Sequence, residues 1–320
     1  MGGPKWFPKF KESLPSMEGK TVVITGTTSG TGKIAADTLA SLGARLVLLN
    51  RKSERSKASL EELKKNHPDA EIEQIDCDLQ SFASVKSAAQ EVISKYGEGI
   101  NVLANNAGIM AVPDKATEDG HCVQMQTNHL SHFLLTKLLM PLLEKGAEAH
   151  GEARVVNHSS IARKGKPLKA KYFGTNGGKL GGSEQAARWA RYQQTKLANA
   201  VHTFALKDRL DAAGSKVKAV VAHPGIARTE LFAGPGNGSV LGKAIKGVVN
   251  NAVAQHMADG AMGLIHAIAD ESVESGHFIG PGPRGRKGPV APFEAEDYCK
   301  DGANKQVLWD ESEKAVADHV

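Results

Sequence analysis

Lys20-Thr21-Val22-Val23-Ile24-Thr25-Gly26-Thr27-Thr28-Ser29-Gly30-Thr31-Gly32 is the stretch that decides the architecture. Its first half is a β-branched run, too short for a helix and closed by glycine, as suits a strand buried on both faces. Residues 30–42 then carry apolar side chains at Ile34, Ala35, Leu39 and Leu42 and stop at Gly43, which predicts a helix with a glycine C-cap. Residues 44–49 form a second apolar run, completing a right-handed βαβ unit. The glycine-rich turn stands where a helix N-terminus can receive a dinucleotide pyrophosphate and where the missing side chains let the backbone approach it. Read alone, such a turn is also a serviceable tight connection; the strand before it and the helix after it favour the phosphate site.

The alternation continues. Helices are expected over residues 56–65, 82–95, 118–143 and 184–210, and strands over 72–75, 101–103, 154–157, 216–222 and 277–279. This pattern predicts a single α/β domain: a Rossmann-type, doubly wound parallel sheet of about seven strands with helices on both faces. Residues 1–18 form an arm before the domain, which occupies 19–320. A basic insert at 163–183, with six basic residues, six glycines and no acidic residue, interrupts the rhythm. Between the fifth strand and the next helix, it is expected to be a loop at the mouth of the site, either a lid or a solvated insertion. Residues 281–292, rich in proline and glycine, are expected to be irregular, ahead of a final helix over 304–317.

Within the helix at 184–210, Tyr192 and Lys196 are four apart and share a face. An ammonium about 5 Å from a phenol at an effective dielectric of about 20 favours the phenolate by roughly 3 kcal/mol, about two pKa units. Tyr96, Tyr172 and Tyr298 are followed four residues on by Ile100, Asn176 and Gly302, so Tyr192 alone has a lysine in this register.

Composition excludes several classes. The chain is 41% apolar and 23% charged, ordinary for a globular protein. A formal charge of +5 from 40 basic and 35 acidic residues is poor support for nucleic-acid binding, and no recognition motif accompanies it. Cys77, Cys122 and Cys299 lack metal-like spacing and are odd in number, which points to a reducing, cytoplasmic setting. No stretch is long and apolar enough for a membrane span; Trp6, Phe7, Phe10 and nearby lysines leave room for weak contact with a membrane surface, against the plainer reading of a packed or fraying arm. The histidines show no zinc spacing, so no metal is expected.

Taken together, Thr25-Gly-x-x-x-Gly30-x-Gly32, Asn105-Asn106-Ala107-Gly108, Ser160 and Tyr192-x-x-x-Lys196 resemble the short-chain dehydrogenase/reductase family over about residues 19–280. Asn128-His129-Leu130-Ser131-His132-Phe133, Lys196-Leu197-Ala198-Asn199 and Leu308-Trp309 resemble its retinol-dehydrogenase-like and WW-domain-oxidoreductase-like branch. Thr28 and Thr31 depart from the Asn and Ile common in that branch's turn. The resemblance implies a catalytic set of Asn128 (holding a relay water), Ser160 (with Ser159 as the fallback), Tyr192 and Lys196. It implies cofactor contacts at Gly26, Ser29, Gly30, Thr31, Gly32, Asp78, Leu79, Asn105, Ala107, Gly108, Tyr192, Lys196, Pro224, Gly225 and Thr229. It further implies hydride transfer between a nicotinamide and a carbonyl or alcohol, by a monomer or homodimer. The second strand ends Asn50-Arg51, with asparagine where an NAD site wants a carboxylate and a guanidinium next to it, so NADP(H) is expected over NAD(H). A non-catalytic nucleotide sensor or scaffold on the same fold is the competing reading.

Overall fold

The computed structural model describes residues 3–226, 255–282 and 285–320. Eight strands lie in the order β3-β2-β1-β4-β5-β6-β7-β8. They are β1 (Thr21–Thr25), β2 (Arg45–Asn50), β3 (Ile72–Asp76), β4 (Val102–Asn105), β5 (Ala153–His158), β6 (Val217–Ala222), β7 (Phe278–Pro281) and β8 (Val290–Phe293). All pairings are parallel except β7 with β8. Strand order reverses between β1 and β4, so their carboxyl ends splay apart there and open the crevice in which such sheets take ligands.

Every residue of β1 is buried, and its side chains alternate between two cores. Val23 faces a core covered by α4 (Phe82–Lys95), α5 (Ser131–His150), α6 (Gln185–Ala212) and the late helix α8 (Gly302–Val316). Val22 and Ile24 face the core under α2 (Gly30–Ser41), α3 (Glu54–Asn66) and α7 (Met257–Ala269). Among the described residues, no helix is long and apolar enough to cross a membrane.

Two expectations need correction. Residues 281–292 are not wholly irregular, because their ends pair as the β7–β8 hairpin, with Pro281 opposite Val290 and Ile279 opposite Pro292. Pro292 is tolerated because β8 is the sheet edge, where one side of the strand has no ladder to feed, and Pro281 because the β6 ladder ends at Ile279. The sheet accordingly has an eighth, antiparallel strand beyond the seven expected. The long helix expected from residue 118 begins at Val123, after Gly120 takes a left-handed φ of 82°, and passes through a π-turn at Gln126–Leu130 before α5.

The arm is packed down. Phe7, Phe10 and Leu14 lie against the core beneath α7, and the Asp259 carboxylate of α7, 3% exposed, accepts the backbone N–H groups of Lys5, Trp6 and Phe7, each at 2.9 Å. These bonds satisfy the exposed donors at the start of α1 (Phe7–Glu12). Asp259→Ala is expected to release the arm, lowering stability by about 1–3 kcal/mol and speeding tryptic cleavage at Lys9 and Lys11. Unchanged cleavage would show that the aromatic packing holds the arm without the carboxylate.

Candidate functional site

The glycine turn is built around close approach. Gly26 has φ 72°, and a Cβ there would stand 2.7 Å from that of Ala107. A Cβ on Gly32 would fall 2.3 Å from the Gly26 carbonyl oxygen and 2.4 Å from Asn106 Nδ2. Ser29 at the N-cap of α2 makes no side-chain cap bond, and space around Gly30 is open, so the first-turn N–H groups are offered to an anion. The residues present therefore fit a dinucleotide pyrophosphate.

Asn106, absent from the expected contacts, organises this turn. Its Nδ2 donates to the Thr25 and Gly26 carbonyls at 2.8 and 3.0 Å, and its N–H donates to Thr25 Oγ1. That fixes Oδ1 as the acceptor, which His158 Nδ1 meets at 2.8 Å and Thr31 Oγ1 approaches at 3.5 Å. The signal available in sequence was a second asparagine beside Asn105, and asparagine at a strand end is common enough to pass unnoticed. Asn105 faces away, donating to Thr136 and Asn157 within the core. Ala107 donates its N–H to Thr25 Oγ1.

A second brace runs from β1 to the helix carrying the tyrosine. His132 Nδ1 donates to the Asn128 carbonyl at 3.1 Å, so in the neutral ring Nε2 accepts from Thr25 Oγ1 at 2.9 Å. Asn128 lies on the π-turn, a deformation that often marks functional positions. Its amide closes on both backbone groups of Ile109 and donates to Thr195 Oγ1 at 2.9 Å. Thr195 in turn bonds the Tyr192 carbonyl. The Asn128 side chain thus ties the Gly108–Ile109 segment to α6.

Tyr192 and Lys196 are each 5% exposed. Lys196 Nζ donates to the His158 carbonyl at 2.8 Å and lies 3.4 Å from where a Gly108 Cβ would stand. Burial lowers the Lys196 pKa to about 8. Burial also raises that of Tyr192 to about 12, against a hydrogen bond with Ser160 that pulls it down. The expected two-unit depression of the phenol is thus not found, because desolvation of the phenolate outweighs every favourable contact. Ser159 is 2% exposed and donates to the Lys196 carbonyl at 2.6 Å, which leaves Ser160 as the serine that meets Tyr192. Trp189, not anticipated, sets its ring edge-on to Tyr192 with centroids 5.8 Å apart.

Most of the remaining expected contacts carry hydrogen bonds of their own. Asn50 is buried and committed to the turn, accepting from Thr27 N–H at 2.9 Å and donating to Thr27 Oγ1 at 2.8 Å. The adjacent Arg51 is exposed. Asp78 accepts from Gln80 N–H, and the Leu79 carbonyl from Ser131. The Pro224 carbonyl is held by Gln255, and Gly225 N–H donates to His223 Nδ1. Thr229 lies outside the described residues. The basic insert is stitched down rather than hinged: Asp114 accepts from Gly178, Arg191 donates to the Leu180 and Gly182 carbonyls, and Gln193 and Gln194 hold residues 163–169.

Comparison with known proteins agrees with this geometry. The family model described as short chain dehydrogenase matches residues 20–178. Human retinol dehydrogenase 14 is 33% identical over 315 residues, covering 94% of this chain and 87% of that protein. The chain belongs to the short-chain dehydrogenase/reductase family. Its relatives fall in the retinol-dehydrogenase-like branch of that family of oxidoreductases. An uncharacterised oxidoreductase of Schizosaccharomyces pombe is 37% identical, with 71% of this chain matched to 65% of its own length. Several curated relatives are matched over about two-thirds of their length, 69% for the chloroplastic short-chain dehydrogenase TIC 32 A of Brassica napus. Among solved structures, an uncharacterised protein from Mycobacterium paratuberculosis superposes with a TM-score of 0.75 at 32% identity, covering 96% of this chain and 97% of that one.

The buried imidazoles make stability depend on pH. Burial lowers the pKa of His132 to about 4 and of His158 to about 3, from an ordinary 6.5. The unfolded chain binds these protons near pH 6.5 and the folded chain does not, so stability is complete above pH 6.5 and is lost as the pH falls. Each such histidine should cost up to about 1.4 kcal/mol per pH unit below that point. Urea unfolding between pH 7 and 5 measures this, and His132→Gln should make the profile shallower; an unchanged slope would mean that His132 is protonated in the fold.

Proposed function

We propose that the chain is an NADP(H)-dependent oxidoreductase acting on the carbonyl or carbinol carbon of a small, lipophilic substrate. The observation that carries this reading is the buried cluster in which Ser160 bonds Tyr192 while Lys196, one turn on, faces Gly108 beneath the glycine turn. A nucleotide sensor has no use for a desolvated phenol and ammonium beside a serine hydroxyl. Relatives named retinol dehydrogenase and polyprenol dehydrogenase support a lipophilic alcohol or aldehyde, and the Trp189 ring beside Tyr192 suits an apolar, flat partner.

NADP(H), when bound, supplies the hydride donor or acceptor at nicotinamide C4. Gly26, Ser29, Gly30, Thr31 and Gly32 would hold its pyrophosphate, Arg51 the 2′-phosphate, and Asp78 and Leu79 the adenine. Ala107, Gly108 and Lys196 would flank the nicotinamide ribose, with Pro224 and Gly225 at the carboxamide. Tyr192, kept neutral by burial, is suited to give its proton to the oxygen of a carbonyl undergoing reduction. The Ser160 hydroxyl holds that same oxygen. Lys196 uses one N–H on the His158 carbonyl, which fixes the ammonium so that its field favours the phenolate formed once the proton has left.

Tyr192→Phe should lower turnover of all-trans-retinal, decanal or benzaldehyde by about 10²–10⁴-fold with NADPH affinity retained. Near-wild-type turnover would remove Tyr192 from the chemistry. Arg51→Ala should weaken NADPH binding about 10- to 100-fold and leave NADH binding unchanged, since one charge-assisted bond is worth roughly 1.5–3 kcal/mol. Fluorescence titration of both cofactors decides this, and equal losses for the two would make Arg51 a surface charge only. Changing Arg51 alone is the clean form of the test, because Asn50 braces the glycine turn.

A further inference from the structure

Arg163 is 1% exposed, an unusual burial for a guanidinium, and every side of it is engaged. Its Nε and Nη2 donate to the two carboxylate oxygens of Glu296 at 2.9 and 2.8 Å, the bidentate fork that only arginine makes. Its Nη1 donates to the carbonyl of Ser160 at 3.0 Å. Its planar face lies over Phe278 of β7, 4.3 Å from the ring centroid, and 5.6 Å from that of Phe293 of β8. Those two rings stack with centroids 4.6 Å apart. Each also receives the buried His223 ring edge-on, at 5.6 and 5.1 Å, and His223 Nδ1 accepts the N–H of Gly225. One continuous cluster therefore joins the backbone of Ser160 to the backbone of Gly225, across the C-terminal hairpin.

We propose that Arg163, locked by Glu296, is a positioning residue that sets Ser160 against Tyr192 and couples the Ser160 loop to the loop at Gly225. The inference rests on the oxidoreductase reading above. The geometry gives the pair a task besides adhesion. The 3₁₀ turn at Ile161–Arg163 is too short to define the direction of the Ser160 hydroxyl by itself. Its N-cap bond, Ala162 N–H to Ser160 Oγ, is long at 3.2 Å. The Ser160 carbonyl accepts both the Arg163 backbone N–H, at 3.1 Å, and Nη1, and this second bond, held in place by Glu296, fixes the peptide from which the hydroxyl hangs. Lysine could keep the charge at this position but could not fork to Glu296 and reach the Ser160 carbonyl together.

The test is a double-mutant cycle of Arg163→Lys and Ser160→Ala, with NADPH-dependent reduction of all-trans-retinal, decanal and benzaldehyde as the assay. Thermal unfolding and NADPH titration are measured on every variant. Arg163→Lys is expected to lower kcat by about 10²-fold, the scale of a misplaced catalytic group, while NADPH affinity stays within about threefold. In the Ser160→Ala background the same change should cost almost nothing, because Arg163 acts through a hydroxyl already removed. Glu296→Gln should reproduce the Arg163→Lys loss, again only when Ser160 is present. Losses that multiply in the cycle, or that track a fall in melting temperature, would make the pair a staple of the fold and overturn the proposal. A wild-type protein that reduces none of the carbonyls with NADPH or NADH would overturn the oxidoreductase reading, and this inference with it.

Discussion

The contact on which the site depends is the one between two backbones at the sheet's reversal point. The carboxyl ends of β1 and β4 diverge there, and the gap would leave the carbonyls of Thr25 and Gly26 buried without donors. One amide, that of Asn106, supplies both. The same residue then receives His158, so the end of β5 is registered against the same turn. A glycine turn rigid enough to cradle phosphates thus follows from satisfying ordinary backbone hydrogen bonds, and Gly26 and Gly32 are the residues that let the chains come close enough to do so.

Burial governs the electrostatics of everything nearby. With His132 and His158 kept neutral, each can donate through one nitrogen only, and that directionality makes them braces rather than acids. Tyr192 and Lys196 are driven in opposite directions by the same cause, the phenol upward and the ammonium downward. Burial takes the lysine down toward neutrality and the phenol up, away from it. Such a site favours neutral partners and penalises stray charge.

Most of this architecture was legible because period and punctuation agree along the chain. The β-branched run before Gly26 and the helix pattern ending at Gly43 yield β1 and α2 within a residue or two, and Tyr192 with Lys196 stand together on α6. What escaped was tertiary. The depression expected of Tyr192 used a charge and a distance but no desolvation, which sequence does not disclose. Pro281 and Pro292 read as breakers because nothing local reveals that Pro292 lies on an edge strand and Pro281 beyond the end of the β6 ladder. Asn106 and Arg163 acquire meaning only from partners distant in the chain, Glu296 being far from Arg163 in sequence. Lys164, Lys166, Lys169, Lys171 and Lys179 of the basic run are exposed, while its backbone is held by Asp114, Arg191 and Gln194, none of which is in the run.

The anchorage of the N-terminal arm by Asp259 bears on how the protein comes into being. The partners are more than 250 residues apart, with separations of 252 to 254 between the bonded residues. During synthesis at about 5–20 residues per second, residues 5–7 therefore wait on the order of 10–50 s for the helix that will receive them. Phe7 and Phe10 spend that interval uncovered, while the strands of the first half can already pair. The arm is made well before the helix that seats it, and a nascent chain halted before α7 would display those aromatic rings to whatever chaperone attends it.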